Sequence, residues 1–251
     1  MAQRTALVTG GSTGIGGAIT DRLLADGMNV YVVQRTEDEV VAAEHQLRLA
    51  SRLARLRIGA HDLSDAKQCA RAVEACVAEF GALDVLVNNA GVTGPAAVDA
   101  LGKFTDERID QVIDVNLKAP LRLVREALPQ LTGRGGVVVN IGSIAGRQAQ
   151  ADAAAYVASK AGLDGLTRAL AYDLARLGVR VVCVAPGDVE TETSRAAEYL
   201  ADRAVAWGKV TPLRRPIVPT DVAATVAWVV SGEAGAVTGS TIYVDGGLTA
   251  Y

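Results

Sequence analysis

Little in this chain invites disulfide or metal chemistry. Its three cysteines, Cys69, Cys76 and Cys183, are odd in number and widely spaced, which argues against a disulfide framework. Cys69 and Cys76 lie seven residues apart and share a helix face, a packing arrangement. There are only two histidines, His45 and His61, and no Cys-x-x-Cys, so no metal site is expected. Charge of one sign is also lacking. A net charge of −3 gives neither a basic footprint for nucleic acid nor a polybasic stretch for an anionic membrane. Near the N-terminus the longest charge-free stretch, 5–20, is glycine-rich and shorter than the roughly 18 apolar residues of a membrane span. It has neither the basic start nor the cleavage site of a signal peptide, so the chain reads as soluble and cytoplasmic. Pro/Ser linkers, low-complexity tracts and internal repeats are absent too, and 1–251 reads as a single domain.

Half of the residues are hydrophobic and 21% are charged, enough apolar material for a sizeable core and too much for disorder. Short apolar runs recur at Thr5–Thr9, Asn29–Gln34, 55–62, Val85–Asn88, Val137–Ile141, 180–185 and Thr241–Val244. Most are continuous and β-branched, as expected of strands buried on both faces of a parallel sheet. Helical patterns separate them. Ser64, Thr105 and Thr220 precede acidic residues in the manner of N-caps, and Gly27 and Gly178 follow apolar-periodic runs in the manner of C-terminal caps. Pro120 and Pro129 should kink or divide the segment 105–131. Strand–helix alternation throughout predicts an α/β fold: a doubly wound, seven-stranded parallel sheet with helices on both faces. The least regular stretch, 187–219, carries Tyr199, Leu200, Trp207 and Val210 among turn residues and reads as a lid over a site.

The first run ends in Thr9-Gly10-Gly11-Ser12-Thr13-Gly14-Ile15-Gly16 and passes straight into a helical pattern over 15–26. Glycines at such a turn let backbone approach a pyrophosphate where free N–H groups and the helix dipole favour negative charge. The spacing is G-x-x-x-G-x-G. In a nucleotide site of this kind the end of the second strand reads the adenosine ribose, and an acidic residue there holds a free 2′-hydroxyl. Here Gln34 is neutral and Arg35 offers a forked cation, a combination that favours NADP(H) over NAD(H).

Tyr156 and Lys160, four residues apart, share one face of a long helical pattern extending to Leu177. Ser143 stands thirteen residues before the tyrosine, just after the run Val137–Ile141. Upstream come Asn88-Asn89-Ala90-Gly91 and then Asn116. With the glycine turn, Asp62, Pro186-Gly187, Thr191 and the closing Asp245-Gly246-Gly247, these residues resemble the short-chain dehydrogenase/reductase family in its single-domain Rossmann-type form, in order and at family spacing. The resemblance implies reduction of a ketone to a secondary alcohol by hydride transfer. It assigns Tyr156 as general acid, Lys160 as its electrostatic partner and holder of the nicotinamide ribose, and Ser143 as the hydrogen-bond donor to the substrate oxygen. Asn116 is similar to the family asparagine that anchors a water in the proton relay.

Cofactor contacts implied by the resemblance are Gly10, Ser12, Thr13, Gly14, Ile15 and Gly16 at the turn, Gln34 and Arg35 at the ribose, and Asp62 and Leu63 at the adenine. Asn89, Ala90 and Gly91 then follow the ribose, with Tyr156 and Lys160. Pro186, Gly187, Val189 and Thr191 hold the carboxamide. Asn88 reads as structural. The family often has asparagine before that Pro-Gly, where this chain has Ala185.

Within the family the chain is most similar to the 3-oxoacyl-[acyl-carrier-protein] reductases. That likeness implies a 3-oxoacyl thioester or polyketide-like ketone, carried on an acyl carrier protein that arginines such as Arg122, Arg125 and Arg176 would receive. Gln148, Gln150, Asp188, Tyr199 and Trp207 are the candidate substrate-pocket residues. Alternatives are a secondary-alcohol dehydrogenase of specialised metabolism and a non-catalytic NADP-binding sensor; an intact Ser143, Tyr156 and Lys160 argues against the sensor. Relatives are mostly homotetramers paired through long helices, here 105–131 and 152–177.

Overall fold

The computed structural model describes residues 3–47, 53–191 and 211–250. Seven strands form one sheet: β1 (Thr5–Thr9), β2 (Asn29–Gln34), β3 (Leu56–Ala60), β4 (Val85–Asn88), β5 (Val137–Ile141), β6 (Arg180–Pro186) and β7 (Thr241–Val244). All pair in parallel, in the order β3-β2-β1-β4-β5-β6-β7. Among the described residues the α-helices are α1 (Gly14–Ala25), α2 (Glu37–Leu47), α3 (Ala66–Phe80), α4 (Asp106–Ile113), α5 (Ala119–Leu131), α6 (Ala154–Leu174) and α7 (Pro219–Val230).

The continuous apolar runs fold as strands because each face of the sheet has its own helical cover. Alternate residues divide between two cores. Val8, Val32, Val87, Val139 and Val182 point with Ile19 and Leu23 of α1 and Val226 of α7 into one. Leu7, Val33, Leu86, Val138 and Val181 meet Cys76 of α3, Leu123 of α5 and Leu174 of α6 in the other. Strand order reverses between β1 and β4, which opens a crevice at the carboxyl ends of these two strands, where ligands of open α/β sheets bind. The glycine turn and the Asn88–Gly91 segment are neighbours there because β1 and β4 are.

Several boundaries differ from the sequence reading, each for a local reason. β3 is shorter than the apolar run, because the chain leaves the sheet at a turn in which Asp62 accepts hydrogen bonds from the Ser64 backbone and hydroxyl. The N-cap of α3 is Asp65, whose carboxylate accepts from the Lys67 N–H, and not Ser64. Thr105 does cap α4. Thr220 lies inside α7, which begins at Pro219; the Asp221 carboxylate reaches back to the Val218 N–H instead. Gly27 and Gly178 are both left-handed, as caps require. The segment 105–131 is divided, and the break is a π-helical turn over Asp114–Lys118 that precedes Pro120. Pro129 sits inside α5 without ending it. Of the expected lid, 187–219, residues 192–210 lie outside the described residues, Tyr199, Leu200, Trp207 and Val210 among them. Among the described residues no helix is long and apolar enough to cross a membrane, and no cluster of potential metal ligands forms.

Candidate active site

The glycine turn is built tightly enough that side chains are excluded from it. A Cβ on Gly16 would overlap the Gly10 carbonyl oxygen, and Gly10 itself has φ +61° with Ala90 at 3.2 Å from where a Cβ would stand. Thr20 fixes the turn from α1 by donating to the Gly11 carbonyl at 2.8 Å. Thr13, at the N-cap of α1, makes no side-chain cap bond, so α1 opens with its first-turn N–H groups free of a side-chain cap. Ser12, Gly14 and Ile15 complete the cradle, and a Cβ on Gly14 would meet Thr191 Cγ2 at 3.4 Å. The segment after β6 therefore closes on the turn from the other side.

Asn89 ties the turn to β4. Its amide nitrogen donates to the Thr9 and Gly10 carbonyls at 2.9 and 3.0 Å, and Thr9 Oγ1 accepts from the N–H groups of Asn89 and Ala90. These bonds commit the Asn89 amide to shaping the cradle. One position earlier, Asn88 donates to Asn140 at 2.8 Å, and Asn140 donates to Thr167 of α6 at 2.9 Å. These bonds form a buried chain of polar groups across β4, β5 and α6. Asn140 and Thr167 escaped sequence reasoning, although an asparagine inside the run Val137–Ile141 was a visible anomaly.

A cleft of about 580 Å³ opens beside the turn, lined by Gly10, Gln34, Arg35, Asp62, Leu63, Ala90 and Gly91 among others. Gln34 is 8% exposed, and its buried amide nitrogen has no hydrogen-bond partner. An orphaned donor of this kind suits an acceptor brought by a ligand. Arg35 pairs with Glu39, from guanidinium Nη2 to Oε1 at 3.0 Å. Burial pushes His61, also on this wall, below the ordinary imidazole value, so it is neutral at neutral pH. Gly cradle, orphaned amide and single guanidinium together fit a phosphorylated dinucleotide.

The second half of the site is carried by α6 and the segments that meet it. Lys160 is 5% exposed; its Nζ donates to the Ile141 carbonyl at 2.9 Å and stands 5.7 Å from the centre of the Tyr156 ring. Among the described residues no carboxylate forms an ion pair with it. Ser143 is extended and accepts from the Ala145 N–H at 3.1 Å, which leaves its hydroxyl proton to be donated elsewhere. Asn116 lies in the π-helical turn and is buried. Its amide accepts from Val92 N–H at 2.7 Å, donates to the Val92 carbonyl at 3.1 Å and donates to Ser159 Oγ at 3.2 Å. Ser159 Oγ donates in turn to the Tyr156 carbonyl at 2.7 Å. A Cβ on Gly91 would come within 3.2 Å of Asn116 and 3.9 Å of Lys160 Nζ, so the end of β4 runs directly beside the ammonium.

Beyond β6, the Gly187 N–H donates to the Val244 carbonyl, and a Cβ there would stand 3.0 Å from Asp245. Pro186 ends β6, and Val189 forms a parallel bridge with Ile217. Asp245 accepts from the Gly247 and Thr249 N–H groups and the Thr249 hydroxyl. The closing Asp-Gly-Gly thus anchors the chain on both sides of 192–210, since Leu213 N–H also donates to the Gly246 carbonyl. Among the substrate candidates, Gln148 is half-buried and Asp188 exposed, while Gln150 lines a separate cavity of about 490 Å³ with Leu101 and Phe104. Tyr199 and Trp207 lie outside the described residues.

Comparison with known proteins agrees with this geometry. The family model described as enoyl-(acyl carrier protein) reductase matches residues 10–249. The chain belongs to the short-chain dehydrogenase/reductase family. This member of the family is 37% identical over 250 residues to the 3-oxoacyl-[acyl-carrier-protein] reductase FabG of Staphylococcus aureus, covering 98% of both chains. A variant of the actinorhodin polyketide ketoreductase solved with NADPH superposes with a TM-score of 0.90 at 34% identity, covering 99% of this chain and 98% of that one. A blue fluorescent protein from a metagenomic library, in complex with NADPH, gives a TM-score of 0.86 at 32% identity, with 98% of each chain covered. Family membership makes the protein an oxidoreductase of the Rossmann-type class.

Proposed function

We propose that the protein reduces the ketone of a 3-oxoacyl thioester or related polyketide-like substrate to a secondary alcohol, using NADPH. The observation that carries this reading is Lys160. Its amino group is buried against a backbone carbonyl, beside a phenol and a glycine-lined crevice, with no carboxylate pairing with it among the described residues. Such burial costs stability, and local rules are broken in this way at functional sites.

Each residue then has a role set by its surroundings. The glycine turn and the start of α1 hold the pyrophosphate, Gln34 and Arg35 meet the 2′-phosphate, and Asp62 and Leu63 border the adenine. Bound NADPH supplies the hydride. Tyr156 donates its phenolic proton to the carbonyl oxygen as negative charge develops there. Lys160 stabilises the phenolate left behind, its own position fixed by Ile141. The free hydroxyl proton of Ser143 bonds to the same substrate oxygen and lowers the cost of that charge. Asn116 positions the segment after β4, and through Ser159 the first turn of α6, so that proton donor and crevice keep their register.

The FabG of Staphylococcus aureus is by name a 3-oxoacyl-[acyl-carrier-protein] reductase, which supports a carrier-protein partner. The arginines that could receive one are differently placed. Arg122 donates to the Ser64 carbonyl, Arg125 pairs with Glu126, and Arg176 lies twenty residues past Tyr156, about 30 Å along the helix axis. Arg176 is therefore remote from the reacting centre. Exposed Leu121 on α5 and Tyr172 on α6 support pairing of copies through these helices, as in a homotetramer. Oxidation of NADPH against acetoacetyl thioesters and free cyclic ketones tests the function. Thioester turnover supports the 3-oxoacyl reading; turnover confined to free ketones moves the protein to specialised metabolism.

A further inference from the structure

The cleft beside Gln34 is poor in positive charge for a site that accommodates an additional phosphate. Among the described residues lining it, Arg35 is the single lysine or arginine, and it shares the wall with two carboxylates, Glu39 and Asp62. His61 adds no charge at neutral pH because burial keeps it unprotonated. Asp62 is turned to Ser64, which donates to it twice. Glu39 is turned to Arg35. The guanidinium donates to Oε1 and the Arg35 backbone N–H to Oε2, both at 3.0 Å.

This pairing is dictated by how α2 begins. Thr36 and Glu39 have the spacing of a capping box, and Thr36 Oγ1 accepts from the Glu39 N–H at 3.3 Å. The first turn of α2 thereby delivers a carboxylate to Arg35 on the cleft wall. A guanidinium that gives a donor to Glu39 has fewer to give a phosphate. A phosphomonoester also carries close to two negative charges at neutral pH, so a second anion on the same cation repels it. A ribose hydroxyl feels no such repulsion.

We propose that Glu39 is a specificity-determining residue that narrows the preference for NADP(H) over NAD(H) by competing with the 2′-phosphate for Arg35. The inference rests on the cofactor reading above and sharpens it: Gln34 and Arg35 admit the phosphate, and Glu39 sets how strongly it is favoured. Glu39→Gln keeps a hydrogen-bond acceptor for the Arg35 N–H and the start of α2, and removes the charge alone.

The test is direct binding, read by the enhancement of nicotinamide fluorescence when NADPH or NADH is titrated into the wild type and Glu39→Gln. The expected result at low salt is an NADPH dissociation constant about three- to tenfold lower in the variant, with NADH unchanged or weakened. The gain should shrink at high ionic strength, because the pair is exposed. Glu39→Ala should move the ratio in the same direction, which guards against a peculiarity of the glutamine. An unchanged or lowered NADPH-to-NADH preference in both variants overturns the inference while leaving the cofactor reading intact. Failure of the wild type to bind either nucleotide overturns the cofactor reading and the inference with it.

Discussion

Asn116 and Val92 hold each other in both directions: the side-chain amide accepts from the Val92 N–H at 2.7 Å and donates to its carbonyl at 3.1 Å. The bonds resemble one rung of a sheet, made by a side chain, and they fasten the chain leaving β4 to the π-helical turn between α4 and α5. Asn116→Ala would leave two backbone groups unpaired. The expected cost is about 2–3 kcal/mol in urea unfolding, with a loss of at least about tenfold in kcat. That loss of stability with unchanged kcat would reduce Asn116 to a structural brace.

The cradle makes a sharper prediction. Gly16→Ala places a methyl group on the Gly10 carbonyl oxygen, so the turn must open. Destabilisation of about 1–3 kcal/mol is expected, with NADPH affinity reduced at least about tenfold. Gly102→Ala is the control: nothing lies near its added Cβ, and both quantities should stay at wild-type values. Thermal melts and NADPH titration of the two variants provide the comparison.

Acid should loosen the return of the chain into α7. Asp221 takes a forked pair of bonds from Arg215 at 2.7 and 3.0 Å and one from the Val218 N–H. The Arg215 bonds hold its carboxyl below the ordinary carboxylate value despite some burial. A carboxyl lowered on folding stabilises fully above its unfolded value of about 4. That contribution fades as pH falls through the lower folded value. Asp221→Asn should therefore cost about 1 kcal/mol at pH 7 and progressively less below pH 4. Urea midpoints of both proteins across that range measure it, and a constant difference at all pH values would contradict the account.

The three thiols should be silent in the native protein. Burial pushes Cys69 up to about 11 and Cys76 up to about 12, and it raises Cys183 as well. All three are fully buried, so almost no thiolate is presented to a reagent at pH 8. Titration with a disulfide reagent should find no fast-reacting thiol in the folded state and three after denaturation. A fast native thiol would show that one of these side chains is accessible.

What could be read in the sequence follows from how local its cause is. Thr5–Thr9 and Val137–Ile141 were legible because a continuous apolar run between helical patterns has few other fates in an α/β chain. Helix periodicity puts Tyr156 and Lys160 on one face, and the family resemblance is what singles the pair out. β3 was overdrawn because its end depends on the Asp62 turn, a choice made by side-chain hydrogen bonds. The π-helical turn carries Asn116, which is bonded to a residue twenty-four positions away, a contact no local window contains. The Asn88–Asn140–Thr167 chain likewise spans three elements. The sequence shows Arg35 beside the acidic residues Glu37, Asp38 and Glu39; that Glu39 is the one that takes the guanidinium depends on how α2 begins.

The central claim is that Tyr156 protonates a ketone oxygen, and one measurement reaches it most directly. NADPH oxidation would be followed with an acetoacetyl thioester for the wild type and Tyr156→Phe, with NADPH affinity determined for both. The phenyl ring preserves packing and deletes the proton. The account predicts a loss of about 10²–10⁴-fold in kcat with little change in NADPH binding. A Tyr156→Phe variant that reduces the thioester as fast as the wild type would contradict it.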